Sequence, residues 1–412
     1  VKKVFLANSI QIEGILMFSN TAVRLIVVGL LKLMFLFGFS GNLRSQEFDP
    51  RLVNYDISGQ IRFQSSVQAE ERREELVRFI WSDGLPAARP VVAENLTAPE
   101  ELVVIKPNLI SRVDVYTANV SAMDFHSLSY VAYPVAPAPT RPRLAIVHAG
   151  HMPEDKERFL EAGLKESIER LLENGFIVAV IQMPMVAWNK DGSGILPNGQ
   201  PFQIDARGTT GHDKLFEAVE PNLGGRIMAF FLEPVVQVTN ELIMRHPNNS
   251  GLLMVGLSGG GWTTHFSAAI DPRITCSIPV AGALPMYARP HSKGSKGDAE
   301  QNYPAILGEE DTDNDGILDR ATGVCSWLEI FALGALAPVG QRARQQTQVI
   351  NFDDSCCFNG PVYQTYCDQL AKRVTEIGNG NWQVFVDRSH SDHVISAKVL
   401  DEVLMPMLNQ IR

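Results

Sequence analysis

The sequence predicts an α/β fold: a mostly parallel central sheet with helices on both faces. Three observations predict it. From residue 143 onward, runs that are apolar at every position alternate with amphipathic helical stretches, the pattern of strands buried on both faces. One buried run, "LLMVGL", passes directly into "SGGGWTTHF", a serine hemmed in by glycines that opens a helix. Two segments rich in Gly, Asn and Asp, 185–225 and 285–330, interrupt the alternation, and loops after parallel strands are where such folds place their sites.

The elements follow in order. "EERREELVRFI" (70–80) reads as an amphipathic helix ended by "SDGLP". Residues 101–133 alternate in patches, as antiparallel edge strands do, and "APAPTRPR" (136–143) is a proline-rich connector. "RLAIVHAGH" is a buried strand closed by a small-residue turn. "DKERFLEAGLKESIERLLENG" has helical spacing and a glycine stop at Gly175. The strand "FIVAVIQMP", a helix near 226–245 and the strand "GLLMVGL" come next. After the "SGGG" helix come "ITCSIPVAG", "TQVINF", a helix over 361–376, "WQVFV" and a final helix from 396.

At 412 residues the chain can bury a large core. It is 45% hydrophobic and 20% charged, and its formal net charge of −10, without a Lys/Arg-rich block, excludes a general nucleic-acid binder. After Arg24 lies an apolar run of roughly 15 residues broken by Lys32, short for a membrane span and suited to a secretory signal core. The expectation is export from Met17, with residues 1–45 a signal peptide, or an uncleaved membrane anchor, behind an over-extended start. Residues 46–140 are then a helix-and-strand extension and 141–412 the catalytic domain, with 285–330 as an insertion. The folded part is expected to be secreted or periplasmic. Cys276 reads as a buried thiol. Cys325, Cys356, Cys357 and Cys367 could form one or two disulfides, each of the adjacent pair with a separate partner, because neighbouring cysteines rarely bond to each other.

"GLSGG" satisfies G-x-S-x-G with Gly256, Ser258 and Gly260. Side chains two residues either side of the serine would clash as a strand-to-helix turn folds back, so the pattern presents a nucleophile. The competing reading is a glycine turn binding phosphate at a helix N-terminus, but no Walker lysine follows. A serine needs a base. His393 is favoured, in "RSHSDHVIS" after the last strand, with His390 as the alternative; His265, well into the helix after the turn, reads as structural. The orienting acid should follow the preceding strand, where "VINFDD" offers Asp354, favoured as deeper in the loop, or Asp353. Backbone donors for an oxyanion are expected from Gly259 and from Gly150, with His151 next, in the turn "HAGH".

Through "GLSGG", "HAGH", the "DD" pair and "SDHVIS", the chain over roughly 140–412 resembles the α/β-hydrolase superfamily, in particular its secreted, esterase-like members. The resemblance implies the order Ser, Asp, His, catalysis without a cofactor, and a lid-like insertion after the sixth strand. The turn departs from the superfamily's HGGG form.

"DTDNDGILD" (311–319) spaces carboxylates at alternate positions around a glycine. Asp311, Asp313, Asp315 and Asp319, with the Ile317 carbonyl, could hold a structural calcium ion, although the twelfth position of an EF-hand frame is Thr322 rather than glutamate. The expected function is a serine esterase acting on a small-molecule or carbohydrate ester through an acyl-enzyme. The alternatives are a calcium-dependent extracellular binding protein on a non-catalytic hydrolase scaffold, or a peptidase of the same fold, which would normally add a propeller.

Overall fold

Nine strands form the central sheet, and their residues explain the order in which they lie. The computed structural model describes residues 49–411 apart from 97–98, 137–139, 152–157 and 295–296. The apolar amino-terminal run expected as a signal or anchor lies outside the described residues. The strands are β1 (Val91–Leu96), β2 (Ile110–Asn119), β3 (His126–Pro134), β4 (Arg143–His148) and β5 (Phe176–Ile181), then the small hairpin β6 (Ser193–Ile195) and β7 (Pro201–Gln203). They continue with β8 (Leu252–Leu257), β9 (Ile274–Val280), the hairpin β10 (Glu309–Glu310) and β11 (Arg320–Ala321), β12 (Arg344–Asn351) and β13 (Gly380–Asp387).

In the sheet the order is β1-β2-β3-β5-β4-β8-β9-β12-β13. The run from β5 to β13 is parallel, and β1 to β3 pair antiparallel. Within β4 the period of two divides the core. Leu144 and Ile146 join Val235, Val238 and Leu242 of the helix Ala229–Arg245. Ala145 and Val147 belong with Ile168, Leu171 and Leu172 of the helix Leu164–Glu173, on the other face.

The expected boundary at 140 is absent. Strands β1 to β3 extend the same sheet through the pairing of β3 with β5, and Phe48–Arg412 forms one compact unit. The helix Ser66–Ile80 is tied in by Arg73, whose guanidinium donates to the Leu336 carbonyl at 2.9 Å. Arg344 donates in turn to the carbonyls of Ala268, Leu333 and Leu336, at 2.6 to 2.9 Å. Two buried cations thus meet the carboxyl ends of two helices, where carbonyls lack partners and the dipole is negative. An alternating pattern reads the same whether antiparallel strands continue a sheet or stand apart, so the sequence left this open.

The excursion after β9 carries the β10–β11 hairpin, and the amino-terminal segment covers it. Tyr55 stacks on Tyr287 at 3.8 Å, and its hydroxyl donates to the Leu318 carbonyl at 2.8 Å. Arg62 pairs with buried Glu329 at 2.6 Å, the residue that completes the capping box of Ser326. Trp262 is fully buried between Phe231 and Phe266, so it is a core residue.

His265 is equally buried, 3.0 Å from Gln346 Oε1 through Nδ1 and tilted on Phe331. Burial pushes its pKa down to about 3. The folded chain therefore prefers the neutral ring. That contribution is complete above the unfolded pKa of about 6.5 and is lost as pH falls toward the folded value. Urea unfolding should show a slope from this ring that is small at pH 7 and approaches about 1.4 kcal/mol per pH unit between about pH 5.5 and 4.5. His265→Asn, which keeps a donor toward Gln346, should flatten the slope by that amount.

Candidate active site

The register sets the carboxyl ends of the parallel strands along one edge. His148 of β4 lies opposite Gly256 of β8, Gly256 opposite Pro279 of β9, and Asn351 of β12 opposite Asp387 of β13. Ser258, Asp354 and His393 follow β8, β12 and β13, so topology alone brings three distant segments to this edge.

Ser258 has φ 60° and ψ −124°, a left-handed backbone in a residue other than glycine, between β8 and the helix Gly259–Ile270. Such a conformation costs about 1–3 kcal/mol and persists only where its surroundings impose it. The surroundings here are the flanking glycines. A side chain on Gly256 would collide with the Gly260 carbonyl, and one on Gly260 with the His148 carbonyl. The bend turns Ser258 out of the sheet while its N–H is held by the Val280 carbonyl at 2.9 Å. Gly150 packs on the same peptide: a Cβ there would lie 2.5 Å from Leu257 O and 2.8 Å from Gly259 N. Among the described residues, the N–H groups of Gly150 and Gly259 donate to no partner.

Of the two adjacent carboxylates, Asp353 is exposed and Asp354 is buried. Asp354 Oδ2 lies 2.7 Å from His393 Nδ1. Its Oδ1 accepts from Cys356 N at 2.7 Å and more distantly from Cys357 N. Asn351 Nδ2 donates to the Val394 carbonyl at 2.9 Å, and Ser355 N to the Ser391 carbonyl at 3.0 Å, which joins the acid loop to the histidine loop. The acceptor oxygen fixes the proton on Nδ1 of His393. Nε2 is buried and has no hydrogen-bond partner among the described residues, so Ser258 is not bonded to it in this state. Such bonds are often long before substrate binds. His390 pairs instead with Asp387 at 3.2 Å, and Asp387 also accepts from Ser389 and Ser396. Burial alone would raise the Asp387 carboxyl, but these donors hold it below its ordinary value. A cavity of about 610 Å³, lined by Trp81, Arg89, Glu233 and Gln237 among others, includes neither Ser258 nor His393.

No family model matches the sequence, and no curated protein matches it either. Solved structures do. An acetyl xylan esterase from Paenibacillus sp. R4 superposes with TM-score 0.50 at 11% identity, covering 88% of this chain and 99% of that one. Acetyl Xylan Esterase 1 from Thermoanaerobacterium sp. JW/SL YS485 gives 0.50 at 12% identity, with 88% and 99% covered. A putative acetyl xylan esterase from Bacteroides fragilis gives 0.50 at 12% identity, with 90% and 84% covered. The fold is that of the α/β-hydrolases. At these identities the likeness is one of fold.

A second group of side chains, not anticipated from the sequence, lies beside the Ser258 bend. His151, next to Gly150, places Nε2 3.0 Å from His212 Nδ1 and 3.1 Å from Asp298 Oδ2. Glu300 Oε1 is 3.1 Å from His212 Nδ1. Burial first, then the neighbouring His212, pushes His151 down to about 3. Burial and then the Glu300 charge push Asp298 up to about 7. Burial opposes the charge of Glu300, yet His212 outweighs it and holds that carboxyl below its ordinary value. These residues come from three segments with no common spacing, which left no signal to read.

In the acidic loop, Asp311, Asp313 and Asp315 bring carboxylate oxygens together around Gly316, at φ +87°. Asp319 is turned toward Thr312, whose hydroxyl donates to it at 2.6 Å. Ile317 donates its N–H to Asp315 Oδ1 at 2.8 Å.

The cysteine expectation requires correction. Cys356 and Cys357 are bonded to each other, and Cys276, Cys325 and Cys367 are free. The loop gathers both N–H groups onto one Asp354 oxygen, and the two sulfurs lie beside His393. Alkylation of the unfolded, unreduced chain should label Cys276, Cys325 and Cys367 alone. The peptide carrying Cys356 and Cys357 should be lighter by two hydrogens than after reduction; labelling of either of these cysteines before reduction would contradict the pairing.

Proposed function

We propose that the chain is a serine hydrolase that cleaves a carboxylic ester through an acyl-enzyme. One observation carries this reading: Asp354 holds His393 Nδ1 at 2.7 Å and leaves Nε2 without a partner among the described residues, at the edge where Ser258 stands on its bend. His393 Nε2 takes the proton from Ser258 as the hydroxyl attacks the ester carbonyl carbon. The cationic ring is stabilised by Asp354. The negative oxygen of the tetrahedral intermediate is met by the N–H groups of Gly259 and Gly150. Collapse returns the proton to the departing alcohol, and water then repeats the sequence on the acyl group. Esters of small acids on carbohydrates are the first substrates to assay, because the fold neighbours named above are acetyl xylan esterases.

The enzyme is proposed to act outside the cytoplasm, in keeping with the apolar amino-terminal run and the Cys356–Cys357 bond. A structural calcium ion on Asp311, Asp313 and Asp315 with the Ile317 carbonyl is a separate proposal, and Asp319 joins only if it leaves Thr312. Calcium should raise the melting temperature of the wild type and leave that of Asp313→Asn unmoved; an equal effect on both would place the ion elsewhere.

A fluorophosphonate probe should label the wild type at one site and Ser258→Ala not at all. Asp354→Asn should lower kcat on p-nitrophenyl acetate by about 10⁴, as loss of the orienting carboxylate does elsewhere. His390→Ala should remain labelled. Undiminished labelling and turnover in Ser258→Ala would overturn the reading.

A further inference from the structure

We propose that His151, His212, Asp298 and Glu300 form a zinc site that clamps the insertion after β9 onto the turn carrying Gly150. The four donor atoms lie within 4.8 Å of one another. The separations from His151 Nε2 are 3.0 Å to His212 Nδ1, 3.1 Å to Asp298 Oδ2 and 3.8 Å to Glu300 Oε1. His212 Nδ1 to Glu300 Oε1 is 3.1 Å. Zinc bonds of about 2.0–2.1 Å to nitrogen and oxygen in a tetrahedron put neighbouring ligands about 3.3–3.4 Å apart. The measured distances straddle that value, so an ion at the centre needs only small side-chain shifts.

Two further observations point to a ligand. His212 Nε2 lies 2.9 Å from the Pro184 carbonyl and donates to it, so Nδ1 is the nitrogen turned toward the cluster. That outer hydrogen bond is the one by which zinc-bound imidazoles are fixed in tautomer and orientation. Glu300 is fully buried, and its Oε2 has no hydrogen-bond partner among the described residues. Two neutral imidazoles and two carboxylates also balance a doubly charged ion, and this mixed nitrogen and oxygen set suits zinc better than calcium or magnesium.

The position gives the ion a role. His151 follows Gly150, and its ring packs against the Gly259 backbone. His212 stands on the helix Gly208–Leu223, and Asp298 and Glu300 come from the insertion. The ion would hold three segments together at the elbow. It is assigned no part in bond cleavage.

The test uses the full chain, purified with zinc, dialysed against metal-free buffer and analysed by elemental mass spectrometry. One zinc per chain is expected. After chelation, cobalt titration should restore one equivalent and give the strong visible bands of tetrahedral coordination. Asp298→Asn and His212→Ala should each lower zinc affinity by more than about 100-fold, the upper range for loss of an outer partner alone. Asp313→Asn should change nothing. A wild-type chain, folded by circular dichroism, that retains no zinc and shows no cobalt bands overturns the proposal, as does zinc lost in Asp313→Asn but kept in Asp298→Asn. If a variant fails to fold, wild-type stoichiometry and the cobalt spectrum decide. Neither readout depends on esterase activity, so this proposal and the hydrolase reading can fail separately.

Discussion

A left-handed serine backbone at the end of β8 is the constraint around which this molecule is arranged. Ser258 leaves the sheet at φ 60°, and the chain can turn there only because Gly256 and Gly260 let carbonyl groups approach where side chains would otherwise stand. The strain is borne by rigid surroundings. Strands β4 and β9 flank β8, and the helix that follows the bend is buried at every position. The same close packing presses Gly150 against the Ser258–Gly259 peptide, so two N–H groups without a partner among the described residues stand beside the hydroxyl at this bend.

Asp354 is the second node. Its two oxygens receive Cys356, Cys357 and His393, and the Asn351 amide approaches as well. A buried carboxylate without such donors would be costly. With them it holds the imidazole in one tautomer and joins the loops after β12 and β13. The neighbouring pair of Asp387 with His390 is built alike but serves a different end: Asp387 also accepts from Ser389 and Ser396, and so braces the loop that carries His393.

Much of this was legible in the sequence, for identifiable reasons. Strands apolar at every position, alternating with amphipathic helices, announced the parallel sheet. The glycines around Ser258 announced the bend, because few other sequences can make it. The loops after the last two strands supplied the Asp and His candidates. The choice between Asp353 and Asp354 rests on which backbone turn buries its side chain, and neighbouring loop residues carry no such record. The antiparallel strands β1 to β3 were visible as strands but not as members of the main sheet, since pairing with β5 leaves no trace in their own alternation. The group around His151 was invisible, because its members stand 61 and 88 residues apart along the chain and meet only in the folded state. The adjacent cysteines were misread because their spacing in the sequence does not show how the loop after β12 folds.

The central claim is that the hydroxyl of Ser258 becomes covalently acylated during turnover. Rapid acid quenching of the wild type with p-nitrophenyl acetate, followed by peptide mass mapping, tests it most directly. The account predicts a burst of nitrophenol close to one equivalent and an acetyl group on the peptide containing Ser258. Turnover with no acetyl group on that peptide, or with the label on another side chain, would contradict it.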